Sequence, residues 1–232
     1  MTATLRRYLA PGTGPGAARC ELCGERIAEE HGHITDLDTR SILCSCPGCR
    51  LLFTRAGAGG GRYRAVPTRY LFAAAFPAGA ELLAAAGIPV GLAFFVIHDG
   101  AVGAFYPSPG GATHCELPAS TTAGGFGADL AAAVGWQLTP EVEGLLVHTT
   151  RDGQSGYLLP IDACYRLVGE LRLHWRGFDG GTQARQRLAA FLADARRRAG
   201  SPDSDTDAPD SGTDSPDSRA DSPDGRAGAR DG

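Results

Sequence analysis

Five of the seven cysteines lie within thirty residues, as Cys20-x2-Cys23 and Cys44-x-Cys46-x2-Cys49. A C-x2-C step turns the chain so that two thiolates and nearby backbone N–H groups converge on one point. Two such steps about twenty residues apart are the signature of a tetrahedral metal site. Cys20, Cys23, Cys46 and Cys49 are therefore the expected ligands. Cys44 and His33 are substitutes for one of them, and His31 also stands nearby. Four thiolates suit zinc and iron alike, with a [2Fe–2S] cluster as a third option. The first knuckle reads CELCG and the second CPGCR, so only half of each matches the CPxCG knuckles of rubredoxin-type iron sites. Zn2+ is the expectation and iron the alternative. Disulfides compete with metal for such spacings, but a cytosolic redox poise argues against them.

The elements that would position these sulfurs are short. His33–Asp38 and Ser41–Cys44 read as two strands of a ribbon with a knuckle at each cysteine pair. Gly24 can supply the left-handed residue that follows such a turn, and Pro47 and Gly48 shape the second knuckle. The module, residues 19–56, has too little core to fold without a metal or another staple. Residues 1–18 precede it as a flexible basic segment. Residues 57–61, GAGGG, read as a joint rather than a phosphate loop, because no GK[ST] follows.

Residues 62–200 read as an α+β domain. Two aromatic and β-branched runs flank Asp99-Gly100, a pair suited to a type I′ hairpin turn. A second hairpin, LLVHTT–RDGQ–SGYLLP, places Asp152-Gly153 in a longer turn. Asp162 reads as an N-cap, followed by Cys164, Leu167, Val168, Leu171 and Trp175 at helical spacing. A last helix starts near Thr182 with Ala184, Leu188, Phe191, Leu192 and Ala195 as its stripe. Residues 69–86 and 127–134 are weaker Ala-rich helices. The expectation is a small antiparallel sheet with helices on one face.

Other reactive residues carry less. Gly153-Gln-Ser155-Gly156 lacks the G-x-S-x-G spacing of a nucleophile elbow. Cys164 sits on an apolar stripe as a small hydrophobe, and His174 reads as a helix C-terminal cation. With His98, His114 and His148 they make no evident second site, and no catalytic residue is expected.

Composition excludes whole classes. The 232 residues contain no lysine, which removes a Walker lysine, a pyridoxal Schiff base and a Ser–Lys dyad together. Residues 201–232 carry nine Asp against three Arg and no aliphatic larger than Ala, so this acidic tail is expected to be disordered. The first 200 residues hold 19 Arg against 17 acidic groups and are mildly basic. No charge-free apolar run approaches the roughly 18 residues of a membrane span, and the start MTATLRRYLAPG lacks a secretory pattern, so a cytoplasmic location is expected. Arg40, Arg50, Arg55, Arg62, Arg64 and Arg69 follow one another with no acid between Asp38 and Glu81. They read as a solvated face beside an anionic thiolate centre, or as a surface for an acidic partner. Nucleic acid is disfavoured by the missing lysines and aromatic stripe.

The run CELCGERIAEEHGHITDLDTRSILCSCPGCRLLF, then GRYRAVP, IPVGLAFFV, VGAFYPSPGGAT and PIDACYRLVGELRLHWRG, resembles an uncharacterised actinobacterial family across roughly residues 19–198. That family's genes tend to lie beside those of high-affinity uptake [NiFe] hydrogenases. The resemblance implies that Cys20, Cys23, Cys44, Cys46 and Cys49, with His33, belong to the family's pattern. It implies a protein partner such as a hydrogenase subunit or maturation factor. The expected function is a non-enzymatic, metal-binding accessory protein. An iron electron carrier and a zinc-ribbon regulator binding nucleic acid are the alternatives.

Overall fold

The computed structural model describes residues 18–108, 111–117, 123–177 and 180–200. The flexible N-terminal segment and the acidic tail expected from composition lie outside these residues, apart from Ala18. Two antiparallel sheets organise the rest.

The first sheet is the ribbon. Strands β1 (Gly32–Asp36) and β2 (Ser41–Ser45) form a hairpin in which His33 faces Cys44 and Ile34 faces Leu43. A short helix α1 (Pro47–Leu52) starts at the second cysteine pair, with Pro47 at its opening. After a 3-10 turn at Ala58–Gly61, strand β3 (Tyr63–Ala65) pairs with the free edge of β1. The order is β2-β1-β3. Residues 57–61 therefore do not separate the ribbon from the rest of the chain. They form a glycine turn inside the ribbon, with positive φ at Gly57, Gly59, Gly60 and Gly61, and the ribbon sheet extends beyond the expected limit at residue 56.

The second sheet has six strands in the order β4-β9-β8-β5-β6-β7. They are β4 (Leu71–Ala73), β5 (Leu92–His98), β6 (Ala101–Ser108), β7 (Gly111–Glu116), β8 (Glu143–Thr150) and β9 (Gly153–Pro160). The β5–β6 hairpin turns at Asp99-Gly100, both at positive φ, as a type I′ turn requires. The second hairpin is tighter than expected. Thr150 pairs with Gly153, so the turn is only Arg151-Asp152.

Helices cover both faces, which corrects the one-faced arrangement expected from the sequence. On one face α4 (Ile161–His174) and α5 (Gly181–Ala199) bury Leu167, Leu171, Phe191 and Leu192 against Phe94, Leu146, Tyr157 and Leu159. On the other, α2 (Ala78–Ala85) and α3 (Ala123–Val134) bury Leu83, Phe126 and Leu130 against Phe95, Ile97, Leu145 and Val147. The central strands are accordingly apolar on both faces: β5 is buried from Leu92 to Ile97 without alternation. The Ala-rich stretch 69–86 is also not one helix. Its first part is strand β4, and the helix begins only after Pro77.

The ribbon docks on the α4 face. Ile42 and Val66 join the core cluster that α4 and α5 build. Arg40, in the β1–β2 turn, pairs with Asp99 at the tip of the β5–β6 hairpin. Arg64 donates to the Pro140 carbonyl at 3.2 Å. Inside the larger domain Arg69 forms a two-pronged, buried ion pair with Glu143, at 2.6 and 2.7 Å. Arg62 pairs with Asp36 at 2.7 Å, and Arg50 donates to the Val66 carbonyl. Five of the six arginines in the acid-free stretch thus bind this chain's own acids and carbonyls. The stretch is still a largely solvated face: Arg40, Arg55 and Arg62 are exposed, and of the six only Arg69 is buried.

Candidate metal centre

The first knuckle is a tight loop. Gly24 N–H donates to the Cys20 carbonyl at 2.9 Å, Cys20 N–H donates to the Glu25 carbonyl at 2.8 Å, and Gly24 takes positive φ. Two bonds lash this loop to β2. Glu21 N–H donates to the Cys44 carbonyl, and Cys44 N–H donates back to Glu21 Oε2. The second knuckle is the start of α1, where Cys46 caps the helix: its Sγ accepts from Cys49 N–H at 3.4 Å.

These knuckles bring Cys20, Cys23, Cys46 and Cys49 together, with all four sulfurs within 4.8 Å of one another. Cys23 Sγ and Cys46 Sγ are 3.7 Å apart. That is far beyond the roughly 2.05 Å of a disulfide. It matches the edge of about 3.8 Å of a tetrahedron built on metal–sulfur bonds of about 2.3 Å. All seven cysteines are free thiols.

The electrostatics fit the same use. Burial works against a Cys20 thiolate, yet N–H groups of Cys46, Cys23 and Leu22 aimed at its sulfur outweigh burial and bring its pKa down to about 6. Cys49 is pushed up to about 12, first by Cys23 and Cys46 beside it. Sulfurs packed this closely cannot all ionise unaided, and a divalent cation is what would let them. The four cysteines can hold a metal ion.

Cys44 and His33, the expected substitutes, fall elsewhere. With His31 they form a second group whose donor atoms also lie within 4.8 Å of one another. His33 Nδ1 sits 3.1 Å from Asp162 Oδ2. Burial opposes a charged His33, but the hydrogen bonds with Asp162 and Cys44 prevail and raise its pKa to about 9. Asp162 is thus not the expected N-cap, a position Pro160 holds. It lies in the first turn of α4 and reaches across to the ribbon. Sequence reading missed this because nothing local to Asp162 points to residue 33.

The remaining reactive residues stay apart. Cys164 is fully buried on the α4 stripe, and burial pushes its thiol up. His174 lies in the last turn of α4. His98 Nδ1 binds Glu141 at 2.5 Å. Among the described residues, His98, His114, His148, Cys164 and His174 join no cluster of metal-ligating groups.

The fold and site define a mixed α+β chain with a four-cysteine cluster near its N-terminus. It belongs to DUF5947, a family of unknown function, whose model matches residues 19–199. No curated protein and no solved structure matches it.

Proposed function

We propose that this chain is a non-enzymatic metal-binding accessory protein, with Zn2+ held by Cys20, Cys23, Cys46 and Cys49 as the staple of the ribbon. The observation that carries the reading is the closed set of four sulfurs with a 3.7 Å edge. Four protein thiolates fill a tetrahedron and leave no position for a substrate, which is the pattern of structural rather than catalytic zinc. The clefts against the two core faces, one lined by Phe94, Leu146 and Leu167 and the other by Phe76, Phe126 and Leu145, have volumes of only about 10 and 30 Å³, on the order of a water molecule.

A protein partner suits the surface beside the cluster. Leu51 and Leu52 on α1 are about two-thirds exposed, and Leu22 lies inside the first knuckle, partly exposed. A hydrogenase subunit or maturation factor as that partner rests on the family resemblance alone. No described helix is long and apolar enough to cross a membrane. The missing lysines and the missing aromatic stripe weigh against nucleic acid as the partner.

Iron is the second reading, because Cys23 is exposed and would bring a redox centre to the surface. Metal analysis and a visible spectrum of protein purified without air decide between them. Stoichiometric zinc in colourless protein supports the structural reading. Iron with ferric–thiolate absorption replaces it with electron transfer.

A further inference from the structure

The hairpin carries a second set of donors that the four-cysteine centre does not use. His31 and His33 are two residues apart, which puts them on one face of an extended chain, and Cys44 is the cross-strand partner of His33. One face of one hairpin therefore presents two imidazoles and a thiol.

Each ring is held for a purpose. His31 Nδ1 lies 2.9 Å from the carbonyls of both Ala28 and Glu29, so it carries the proton and leaves the lone pair on Nε2. That Nε2 is buried and has no hydrogen-bond partner. Orphaned buried acceptors are costly and call for a missing partner. His33 Nδ1 is bound by the Asp162 carboxylate, which leaves its Nε2 as the nitrogen facing a ligand. A carboxylate or carbonyl behind each imidazole is how metal-binding histidines are fixed and made more basic. The two rings are tilted by 51° with centroids 4.9 Å apart, and a donor atom of each lies within 4.8 Å of the other and of Cys44 Sγ.

We propose that His31, His33 and Cys44 form a second metal site, for a divalent late first-row ion such as Zn2+, Co2+ or Ni2+, with Asp162 as a positioning residue. Two imidazoles and one thiolate suit that class of ion. Three protein ligands leave one coordination position open, unlike the closed four-cysteine centre. The site is partly exposed and exchanges its ion more readily for both reasons. A competing arrangement, with Cys44 as nucleophile, His33 as base and Asp162 as orienter, leaves the His31 orphan unexplained. It also lacks the Cys44 amide as an oxyanion donor, because that N–H is bound to Glu21. The proposal does not depend on which metal fills the four-cysteine centre.

The test uses the full chain, dialysed against a chelator and then titrated with Co2+ by visible absorption, with total metal measured alongside. Metal surviving dialysis reports the four-cysteine centre, and cobalt uptake reports the second site. The expected result is one equivalent of Co2+ with thiolate-to-cobalt absorption in the wild type. His31→Ala and Cys44→Ser should take up none while keeping the wild-type circular dichroism, and Asp162→Asn should weaken binding by about 10–100-fold. No uptake by the wild type overturns the proposal. So does wild-type uptake by His31→Ala. Fast alkylation of Cys44 at neutral pH in a wild type that binds no cobalt replaces the site with the nucleophile.

Discussion

The ribbon and the six-stranded sheet are both antiparallel, yet they are held by different physics. The large sheet buries β5, β8 and β9 under helices on both faces, with Phe94, Phe95, Leu145, Leu146, Tyr157, Leu158 and Leu159 all at or near zero exposure. The ribbon, of comparable ambition but three short strands, buries only Ile34, Ile42, Ala65 and Val66 among its aliphatics. Its other fixed points are sulfurs, ion pairs and the Asp162 bridge. One region is specified by apolar area, the other by ion pairs and a four-cysteine cluster that can hold a metal. Variation should therefore act on them in different currencies.

The largest effect expected is metal removal. Structural zinc supplies apparent binding energies of about 10–16 kcal/mol to small modules, and no preformed site exists in the unfolded chain. Stripping the four-cysteine centre should abolish hydrogen-exchange protection in β1, β2 and β3 while β5, β8 and β9 keep theirs. Equal loss in both sheets would erase the distinction drawn here.

Next comes the one large electrostatic element inside the apolar region. Glu143 is fully buried and Arg69 nearly so. Glu143→Leu alone removes the counter-charge of a buried guanidinium, which keeps the Gln137 carbonyl as a partner, and should cost about 3–5 kcal/mol. The double replacement Arg69→Met with Glu143→Leu should recover most of that in a urea melt. A double variant as unstable as the single one would show that the pair itself, not the orphaned charge, matters.

A smaller test concerns packing. A Cβ on Gly144 would lie 2.9 Å from Cys164 Sγ. Gly144→Ala should cost about 1–3 kcal/mol by overpacking. Cys164→Ala should cost roughly 1 kcal/mol through lost packing, with metal content unchanged. The two together should be less destabilising than their sum, because the methyl enters the space the sulfur leaves. Strict additivity counts against the contact.

The smallest effect lies at the junction of the two regions. The Arg40–Asp99 pair is mostly exposed, and Arg40 holds φ of 53°. Arg40→Ala should cost at most about 1 kcal/mol. Arg40→Gly should cost less, since glycine accepts that backbone without strain. Thermal melts of both variants read the difference.

Much of this was legible beforehand, where local chemistry is strong. The Asp99-Gly100 turn, the α4 and α5 stripes and the two C-x2-C knuckles all follow from neighbours in sequence. What escaped depends on distant partners. The unbroken apolar run LAFFVI carried the signal that β5 is covered on both faces, a signal obscured by treating the sheet as half-exposed. The bonds of the arginines between residues 40 and 69 were not legible because their partners, Asp36, Asp99, Pro140 and Glu143, are scattered along the chain. For the same reason Asp162 looked like a cap and Cys44 like a spare ligand, although the H-x-H step opposite Cys44 was visible all along.

The central claim is that four particular sulfurs hold the ribbon's metal and that Cys44 does not. Metal per chain after chelator dialysis, measured on serine variants of Cys20, Cys23, Cys44, Cys46 and Cys49, tests it directly. The account predicts a full equivalent retained by Cys44→Ser and none by the other four. An emptied Cys44→Ser beside a loaded Cys46→Ser would contradict it.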